Sequence, residues 1–174
     1  MPKGIIIFGG NGCGKSTLGR EVAKALSYKF MDIEDYFFVK SEILYSVPRS
    51  REECYNLMLK DIEKYKSFVI TTVNGDCGEE INNFYECAVY MTAPLEVRLD
   101  RVKKRSYEQF GERMRYGGDL YEKEKKFYDF VASRSLSQLD EFAETLKCPV
   151  IRVDAAKPVS ENLKYVLTQY KELT

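Results

Sequence analysis

The sequence contains no histidine. This absence excludes mechanisms that depend on an imidazole base, on a Ser–His pair or on a His-ligated metal. Any proton transfer must therefore use Asp, Glu, Lys, Tyr or Cys. An excess of charge is absent too, because 27 Lys and Arg residues balance 27 Asp and Glu residues. This balance argues against binding to nucleic acid or to a membrane surface through overall charge.

Long apolar runs and paired cysteines are also missing. No apolar run approaches the roughly 18 residues of a membrane helix, and the run at residues 4–8 is too short for a signal peptide. The cysteines are odd in number and include no C-x-x-C pair, which predicts reduced thiols and argues against a disulfide frame or a zinc site. They are Cys13, Cys54, Cys77, Cys87 and Cys148. We expect a soluble, cytoplasmic protein that is a monomer or a homodimer.

The sequence does contain an alternation of strand and helix patterns along its whole length. Apolar and β-branched runs predict five strands, at residues 4–8, 28–32, 68–73, 87–91 and 149–153. Helical spacing of apolar residues predicts helices from residue 15, around 54–65, from Pro94 onward, over 120–146 and over 159–170. Strands joined by helical crossovers predict one α/β domain over residues 1–174, with a parallel sheet covered on both faces.

Residues 9–16, GGNGCGKS, match the phosphate-loop pattern G-x-x-x-x-G-K-[ST] between the first strand and the first helix. Glycines permit positive φ and keep side chains out of the way. Backbone N–H groups and the helix N-terminus then converge on the phosphates of a nucleotide. In this pattern Lys15 reaches the β- and γ-phosphates and the Ser16 hydroxyl binds Mg²⁺. A tight turn without a ligand is the alternative.

The stretch GIIIFGGNGCGKSTLGREVAKAL, followed by FMDIED, resembles the small P-loop kinases, namely shikimate kinase, gluconate kinase, adenylate kinase and other nucleoside monophosphate kinases. The resemblance in layout extends over essentially the whole chain. It implies a three-layer P-loop NTPase fold with a five-stranded parallel sheet of order 2-3-1-4-5. It also implies ATP as donor, Mg²⁺, an acceptor-binding segment at about 33–66 and an arginine-bearing lid. The charged, glycine-containing residues 106–119 are the predicted lid, which we expect to be a mobile loop.

The resemblance also implies which residues hold the nucleotide. The phosphate loop supplies Gly10, Asn11, Gly12, Cys13, Gly14, Lys15, Ser16 and Thr17. Arg101 precedes the lid and contacts the ATP phosphates, while the turn at Asp154 and Ala155 wraps the adenine. An exposed loop is the alternative for that turn. Cys13 is interpreted as a small spacer, and the alternative, redox sensing, requires a lowered pKa of its thiol.

Acids follow the second strand, at the edge where ligands gather in open α/β sheets. The resemblance implies that Asp32 orients the waters of Mg²⁺ or accepts a hydroxyl proton. Glu34 departs from the D-x-D pattern of the shikimate-type kinases, and Asp35 partly restores the charge at the acceptor site. Capping of a helix N-terminus is the alternative role for these acids.

The third strand is followed by Asn74-Gly75-Asp76. Many P-loop enzymes place an acid at this point for the Mg²⁺ shell, which favours Asp76. Shikimate-type kinases place glycines here, which favours Gly75 beside the acceptor. An ordinary turn is the alternative, since Asn-Gly is a turn dipeptide. The predicted metal ligands are therefore Ser16, Asp32 and Asp76.

Arginines supply the charge that phosphoryl transfer requires, because negative charge spreads over three oxygens in the transition state. The predicted catalytic residues are Lys15, Asp32, Arg105 and Arg113, and further candidates are Arg101, Arg115 and Arg134. Arg98 lies on the same predicted helix as Arg101 and Arg105. Surface ion pairing is the alternative for the arginines. The predicted acceptor-binding residues are Asp32, Asp35, Arg49, Arg51 and Gly75, with Tyr36, Phe37, Phe38 and Tyr45 lining the pocket or packing in the core.

Together these patterns predict a kinase that transfers the γ-phosphoryl group of ATP to a hydroxyl or phosphate on a small molecule. A nucleotide hydrolase and a non-catalytic, nucleotide-binding regulatory module are the alternatives. A GTPase is disfavoured because the guanine motif N-K-x-D does not occur. The sequence does not identify the acceptor.

Overall fold

The computed structural model describes residues 1–40 and 47–174. Tyr45, predicted to line the acceptor pocket, lies outside the described residues. The strands are β1 (Lys3–Gly9), β2 (Lys29–Asp32), β3 (Ser67–Thr72), β4 (Tyr85–Thr92) and β5 (Val150–Asp154). The helices are α1 (Lys15–Leu26), α2 (Ile33–Phe37), α3 (Arg51–Tyr65), α4 (Glu79–Asn82), α5 (Leu95–Phe110), α6 (Tyr121–Ser133), α7 (Ser137–Thr145) and α8 (Val159–Leu173), with a 3-10 turn at Gly111–Met114.

The five strands form one parallel sheet in the order β2-β3-β1-β4-β5, which confirms the predicted fold class. The central strand β1 is apolar on both faces, so it is stable only when helices cover both. Ile5 and Ile7 face one core, which contains the buried side of α1 and α8. Ile6 and Phe8 face the other core, which contains residues of α3 and α7. Within it the Phe8 ring stacks on Tyr90, with ring centroids 4.8 Å apart.

The helices depart from the predicted boundaries in three places. Helix α5 continues to Phe110, so the prediction of a loop beginning at residue 106 was wrong for residues 106–110. Pro94 is the N-cap of α5 rather than part of its first turn. The predicted helical stretch 120–146 is two helices separated by residues 134–136, where Ser135 Oγ accepts a hydrogen bond from the Ser137 amide at 3.2 Å. Such local serine bonds compete with the helical pattern.

Two short helices that the sequence analysis did not identify follow strands at the carboxyl edge of the sheet. Helix α2 begins directly after β2, with Asp32 as its N-cap. Helix α4 follows the turn after β3, and the Asp76 carboxylate accepts bonds from the Gly78 amide and the Asn82 side chain, both at 2.9 Å. Across the described residues, no helix has both the length and the apolar character needed to cross a bilayer.

Gly75 is required for packing at the end of β3. Its φ is +87°, and a Cβ built on it would lie 2.3 Å from the Phe142 ring of α7. Gly117 has a similar φ of +86° but open space where a Cβ would be. Substitutions at Gly75 and Gly117 can therefore be compared to separate the cost of backbone strain from the cost of steric overlap.

We predict that Gly75→Ala lowers the free energy of unfolding by about 3 kcal/mol or more, since left-handed strain costs roughly 1–2 kcal/mol and overpacking roughly 1–3 kcal/mol. Gly117→Ala should lower the free energy of unfolding only by the cost of the backbone strain. Urea denaturation of the two variants measures the difference. Equal losses would show that the contact between Phe142 and residue 75 adapts without cost.

Candidate active site

The phosphate loop connects β1 to α1 at the carboxyl edge of the sheet. Gly14 ends the loop with a φ of +81°, and a Cβ built on it would have no atom within 4 Å. Backbone therefore faces open space at the point where the helix begins. The first amides of α1, from Lys15 onward, have no carbonyl partner within the helix. They and the helix dipole create a site that attracts anions.

The Lys15 side chain lies in the wall of this site. It is 9% exposed, and its Nζ donates a hydrogen bond to the Gly10 carbonyl at 3.1 Å. Burial lowers the pKa of Lys15 to about 8, although the nearby Glu34 and Asp32 carboxylates oppose this effect. An ammonium group has three donors, and Lys15 lines a cavity of about 110 Å³ next to the loop. The ammonium is therefore close to open space that an anion can enter.

Two acids and a hydroxyl group also line this cavity, namely Asp32, Glu34 and Ser16. Ser16 Oγ donates a hydrogen bond of 2.6 Å to Asp32 Oδ2. The other oxygen of Asp32 accepts from the Glu34 amide at 3.3 Å, which caps α2. Asp32 thus has the capping role that was the alternative prediction, and it also lies beside the phosphate loop. Glu34 lines the cavity, whereas Asp35 is exposed and points elsewhere.

The Ser16–Asp32 pair has the chemistry of a magnesium site. Hydroxyl and carboxylate oxygens are hard ligands, and Mg²⁺ is usually held by one or two such groups, with waters and substrate phosphates completing its shell. No cluster of three or more metal-binding acids, cysteines or histidines occurs among residues 1–40 and 47–174. The donor set therefore fits an ion that arrives with a polyphosphate better than an ion held by protein alone.

A second cavity of about 290 Å³ adjoins the phosphate loop on the side of α5 and α8. Leu18, Met91 and Val102 give it apolar walls. Arg101 Nη1 donates to the Ala155 carbonyl at 2.7 Å, so Arg101 braces the loop after β5. The two cavities share the phosphate loop, with Gly12, Gly14 and Thr17 among the lining residues of both. The two cavities therefore lie next to each other along the phosphate loop, an arrangement that suits a base and its phosphates.

The predicted arginines occupy different positions relative to this cleft. Arg105 lines both cavities. Arg98 is buried, and it bonds the carbonyl oxygens of Ala93 and Asn11 at 3.2 and 3.4 Å. It therefore holds the phosphate loop against α5.

Arg113 and Arg115 lie in the turn after α5 and form exposed ion pairs with Asp119 and Glu112. Exposed pairs of this kind contribute little, roughly 0–1 kcal/mol. Arg134 instead bonds the side chains of Asn11 in the phosphate loop and of Asn74 in the turn after β3. The catalytic role of Arg113 stays a prediction that requires movement of the turn.

Several predicted acceptor and metal residues are used by the fold itself. Arg49 Nη1 donates to the carbonyls of Asp35, Tyr36 and Phe38 at 3.2, 2.9 and 2.7 Å, which closes the end of α2. Arg51 is the exposed first residue of α3. The geometry does not favour either arginine as an anion ligand of the acceptor.

The two residues predicted after β3, and Asp154 after β5, also have structural roles. Asp76 is exposed and lines neither cavity, and its carboxylate accepts bonds from the Gly78 amide and the Asn82 side chain, so its predicted place in the metal shell is not supported by the geometry. Gly75 does not line the phosphate cavity, and a Cβ at this position would overlap the Phe142 ring. The Asp154 carboxylate accepts from the Ala156 amide at 2.9 Å, which stabilises the turn.

Three cleft residues escaped the sequence analysis or were given little weight there. Glu34 was set aside because it breaks a D-x-D pattern, and Thr71 and Asn162 had no motif at all. Asn162 is 5% exposed, lines the larger cavity and donates to the Asp154 carbonyl at 2.9 Å. The sequence did offer one signal for Asn162, because it is a polar residue on the otherwise apolar face of α8.

Cys13 is buried, at 1% exposure, within the phosphate loop. Burial raises the pKa of its thiol, and the nearby Lys15 and Arg98 charges only partly offset this. A redox sensor needs the opposite shift. The structure therefore favours the interpretation of Cys13 as a small spacer.

The fold and the cleft define a P-loop protein of the small-kinase type. The profile of a family described as an AAA domain matches residues 5–126, and the chain belongs to this family. It is 25% identical over 175 residues to uncharacterized protein YqaC of Bacillus subtilis (strain 168), covering 96% of this chain and 97% of that one.

Kinases are among the further relatives and solved structures. The chain is 34% identical over 87 residues to a shikimate kinase of Clostridium botulinum (strain Eklund 17B / Type B), which covers 47% of this chain and 53% of that enzyme. The crystal structure of shikimate kinase from Bacteroides thetaiotaomicron has a TM-score of 0.60 at 17% identity, covering 97% and 98% of the two chains. The resemblance to small P-loop kinases is thus confirmed, whereas the likeness of that structure concerns the fold alone.

The lowered pKa of Lys15 predicts a pH dependence of nucleotide binding. Affinity for a non-hydrolysable ATP analogue, measured in EDTA by calorimetry, should fall as pH rises above about 8, because the free protein then loses the ammonium. The fall should approach tenfold per pH unit. The phosphates themselves are already ionised, with a second pKa near 6 for phosphate esters.

Lys15→Met is the matched control for this experiment. It should bind the analogue weakly, with a nearly flat profile between pH 7 and 9.5. Its stability at pH 7 should equal or exceed that of the parent, because burial disfavours the charged form of Lys15. If Lys15→Met kept the full pH dependence of nucleotide affinity, the titrating group would be a residue other than Lys15.

Proposed function

We propose that this protein is an Mg²⁺-dependent kinase that transfers the γ-phosphoryl group of ATP to a hydroxyl group of a small metabolite. One observation carries the proposal: the Ser16–Asp32 hydrogen bond brings the phosphate loop and an acidic acceptor wall together in one cleft with Lys15. A phosphate-binding loop alone is found in many nucleotide-binding proteins. Acids directly beside it are expected where a second substrate meets the γ-phosphate.

The residues of the cleft have different roles in the proposed phosphoryl transfer. The free amides at the start of α1 and the Lys15 ammonium bind the β- and γ-phosphates. Arg105 enters from α5 and lines both cavities, where it neutralises charge on the transferring group. Mg²⁺, when bound, would neutralise the β- and γ-oxygens and hold them in line with the acceptor; Ser16 and Asp32 are the residues that would hold it.

The acceptor side of the cleft favours a hydroxyl group. An alcohol must lose a proton as it attacks, and Asp32 or Glu34 can accept that proton. A phosphate acceptor is already anionic and instead needs cations. Arg49, which the sequence suggested for that purpose, donates to three backbone carbonyls of α2. The cations that line this cavity, Lys15 and Arg105, are assigned to the phosphates of ATP, so the carboxylates of Asp32 and Glu34 suit a neutral hydroxyl better than an anionic acceptor.

Asp32→Asn tests the role of the acid. Asparagine caps a helix nearly as well as aspartate, so the fold should be retained. The substitution removes a carboxylate that would serve as a metal ligand or as the general base. Loss of a general base typically lowers the rate by 10²–10⁴-fold, and we expect kcat to fall by about that factor or more. Affinity for the ATP analogue in EDTA should be unchanged or higher, because a negative charge near the phosphates is removed.

Asp35→Asn is the control, since Asp35 is exposed and away from the cavity. It should keep kcat within about twofold. The assay is ATP consumption by the purified protein over a panel of hydroxylated metabolites, sugars and nucleosides. Phosphate release that does not depend on any acceptor would instead indicate a hydrolase, and tight nucleotide binding without turnover would indicate a regulatory module.

A further inference from the structure

Glu124 of α6 is a buried carboxylate outside the cleft. It is 8% exposed, and its Oε2 accepts a hydrogen bond from Ser106 Oγ of α5 at 2.9 Å. Ser106 is buried as well, at 6% exposure. Among residues 1–40 and 47–174, Glu124 forms no ion pair. Because burying a carboxylate without a cation costs free energy, the residue is better explained by the geometry that its hydrogen bond imposes than by the stability that it adds.

The Ser106–Glu124 bond completes a set of three connections between α5, α6 and the phosphate loop. Ser106 lies near the end of α5, and Glu124 lies near the start of α6. At its other end each helix is attached to the phosphate loop by an arginine. Arg98 of α5 donates to the Asn11 carbonyl, and Arg134, the C-cap of α6, donates to Asn11 Oδ1, both at 3.4 Å. The bond between the helices therefore fixes the ends that lie away from the loop.

The orientation of α5 at Ser106 determines the direction of Arg105. Arg98, Val102 and Ser106 are the buried residues of α5, and their spacing of four places them on one face of the helix. Arg101 and Arg105 have the same spacing on the adjacent face, and both line the larger cavity. Because Arg105 directly precedes Ser106, a rotation of the last turns of α5 about the helix axis would move both side chains.

A second contact between the helices is looser. Lys103 Nζ of α5 lies 5.7 Å from the centroid of the Tyr128 ring on α6. Lysine has a flexible four-carbon stem, so this contact tolerates a change in the angle between the helices. A hydrogen bond between two buried side chains instead requires a defined distance and angle. The Ser106–Glu124 bond therefore specifies how α5 and α6 meet more strictly than the lysine contact does.

We propose that Glu124 is a positioning residue whose hydrogen bond from Ser106 keeps Arg105 directed into the cleft. This inference rests on the proposed kinase function, in which Arg105 neutralises charge on the transferring group. Glu124 itself lines neither cavity, so it acts only through α5. Displacement of a catalytic group by about 1 Å can lower a rate by about 10²-fold. Loss of the bond should therefore impair phosphoryl transfer more than it impairs nucleotide binding.

Glu124→Leu removes the hydrogen-bond acceptor and the buried charge but keeps a side chain of similar size. We expect kcat to fall about tenfold to hundredfold, whereas KM for ATP should change by less than about threefold. Lys15 and the free amides at the start of α1 still bind the phosphates in the ground state. Hydrogen exchange of residues 103–110 in the ligand-free protein, followed by mass spectrometry, should become faster, because the end of α5 is no longer held by α6.

Two further variants complete the test. Glu124→Gln keeps an oxygen that accepts from Ser106, so kcat and the exchange of residues 103–110 should stay close to those of the parent. Glu86→Leu removes a similar bond at the opposite edge of the sheet, where the Tyr170 hydroxyl donates to Glu86 Oε2 of β4 at 2.7 Å. It should lower the thermal unfolding midpoint and leave kcat unchanged, which separates a positioning role from a general loss of stability.

Three results would overturn the inference. Unchanged hydrogen exchange of residues 103–110 in Glu124→Leu would show that the bond does not hold the end of α5. Faster exchange with an unchanged kcat would show that Arg105 does not depend on it, and either result would leave the kinase proposal intact. A parent protein that turns over no ATP with any acceptor would refute the kinase proposal and this inference together.

Discussion

A buried ammonium group at the start of α1 determines the character of the cleft. Lys15 has little contact with solvent, bonds one backbone carbonyl, and lies where the helix dipole is positive. Burying a charge under these conditions is costly, and its pKa falls accordingly. A polyanion is the ligand that relieves this cost most completely. Anion binding and local instability are thus two results of the same arrangement.

The other charged residues around Lys15 divide into those that face the ligand and those that hold the walls. Arg98 donates a hydrogen bond to the Asn11 carbonyl and thereby fixes the phosphate loop. Arg101 donates to the Ala155 carbonyl and fixes the loop after β5. Arg105 is left to face both cavities. Rigid walls matter because phosphoryl transfer depends on positioning and electrostatics more than on covalent chemistry.

The sequence was sufficient for the features that local patterns encode. Apolar runs located all five strands, and the spacing of glycine, lysine and serine located the phosphate loop. Side-chain direction at the acceptor wall was not accessible, because it depends on the five-residue helix α2 that begins at Ile33. This helix turns Glu34 into the cavity and Asp35 outward. The role of Arg49 depends on contacts with residues 11 to 14 positions away, which no periodicity reveals.

The network around α2 has a thermodynamic consequence for the acceptor recognition that the proposed function requires. Arg49 donates hydrogen bonds to three carbonyl groups at the end of α2. Tyr36 donates to Asp61 of α3 at 2.6 Å, and the Cys54 thiol donates to the Tyr36 carbonyl. These bonds order the wall between β2 and Phe38 before any acceptor arrives. The conformational entropy of that segment is lost during folding rather than during association. Under the proposed kinase function, a small, weakly interacting acceptor is then selected without first having to organise its own binding surface.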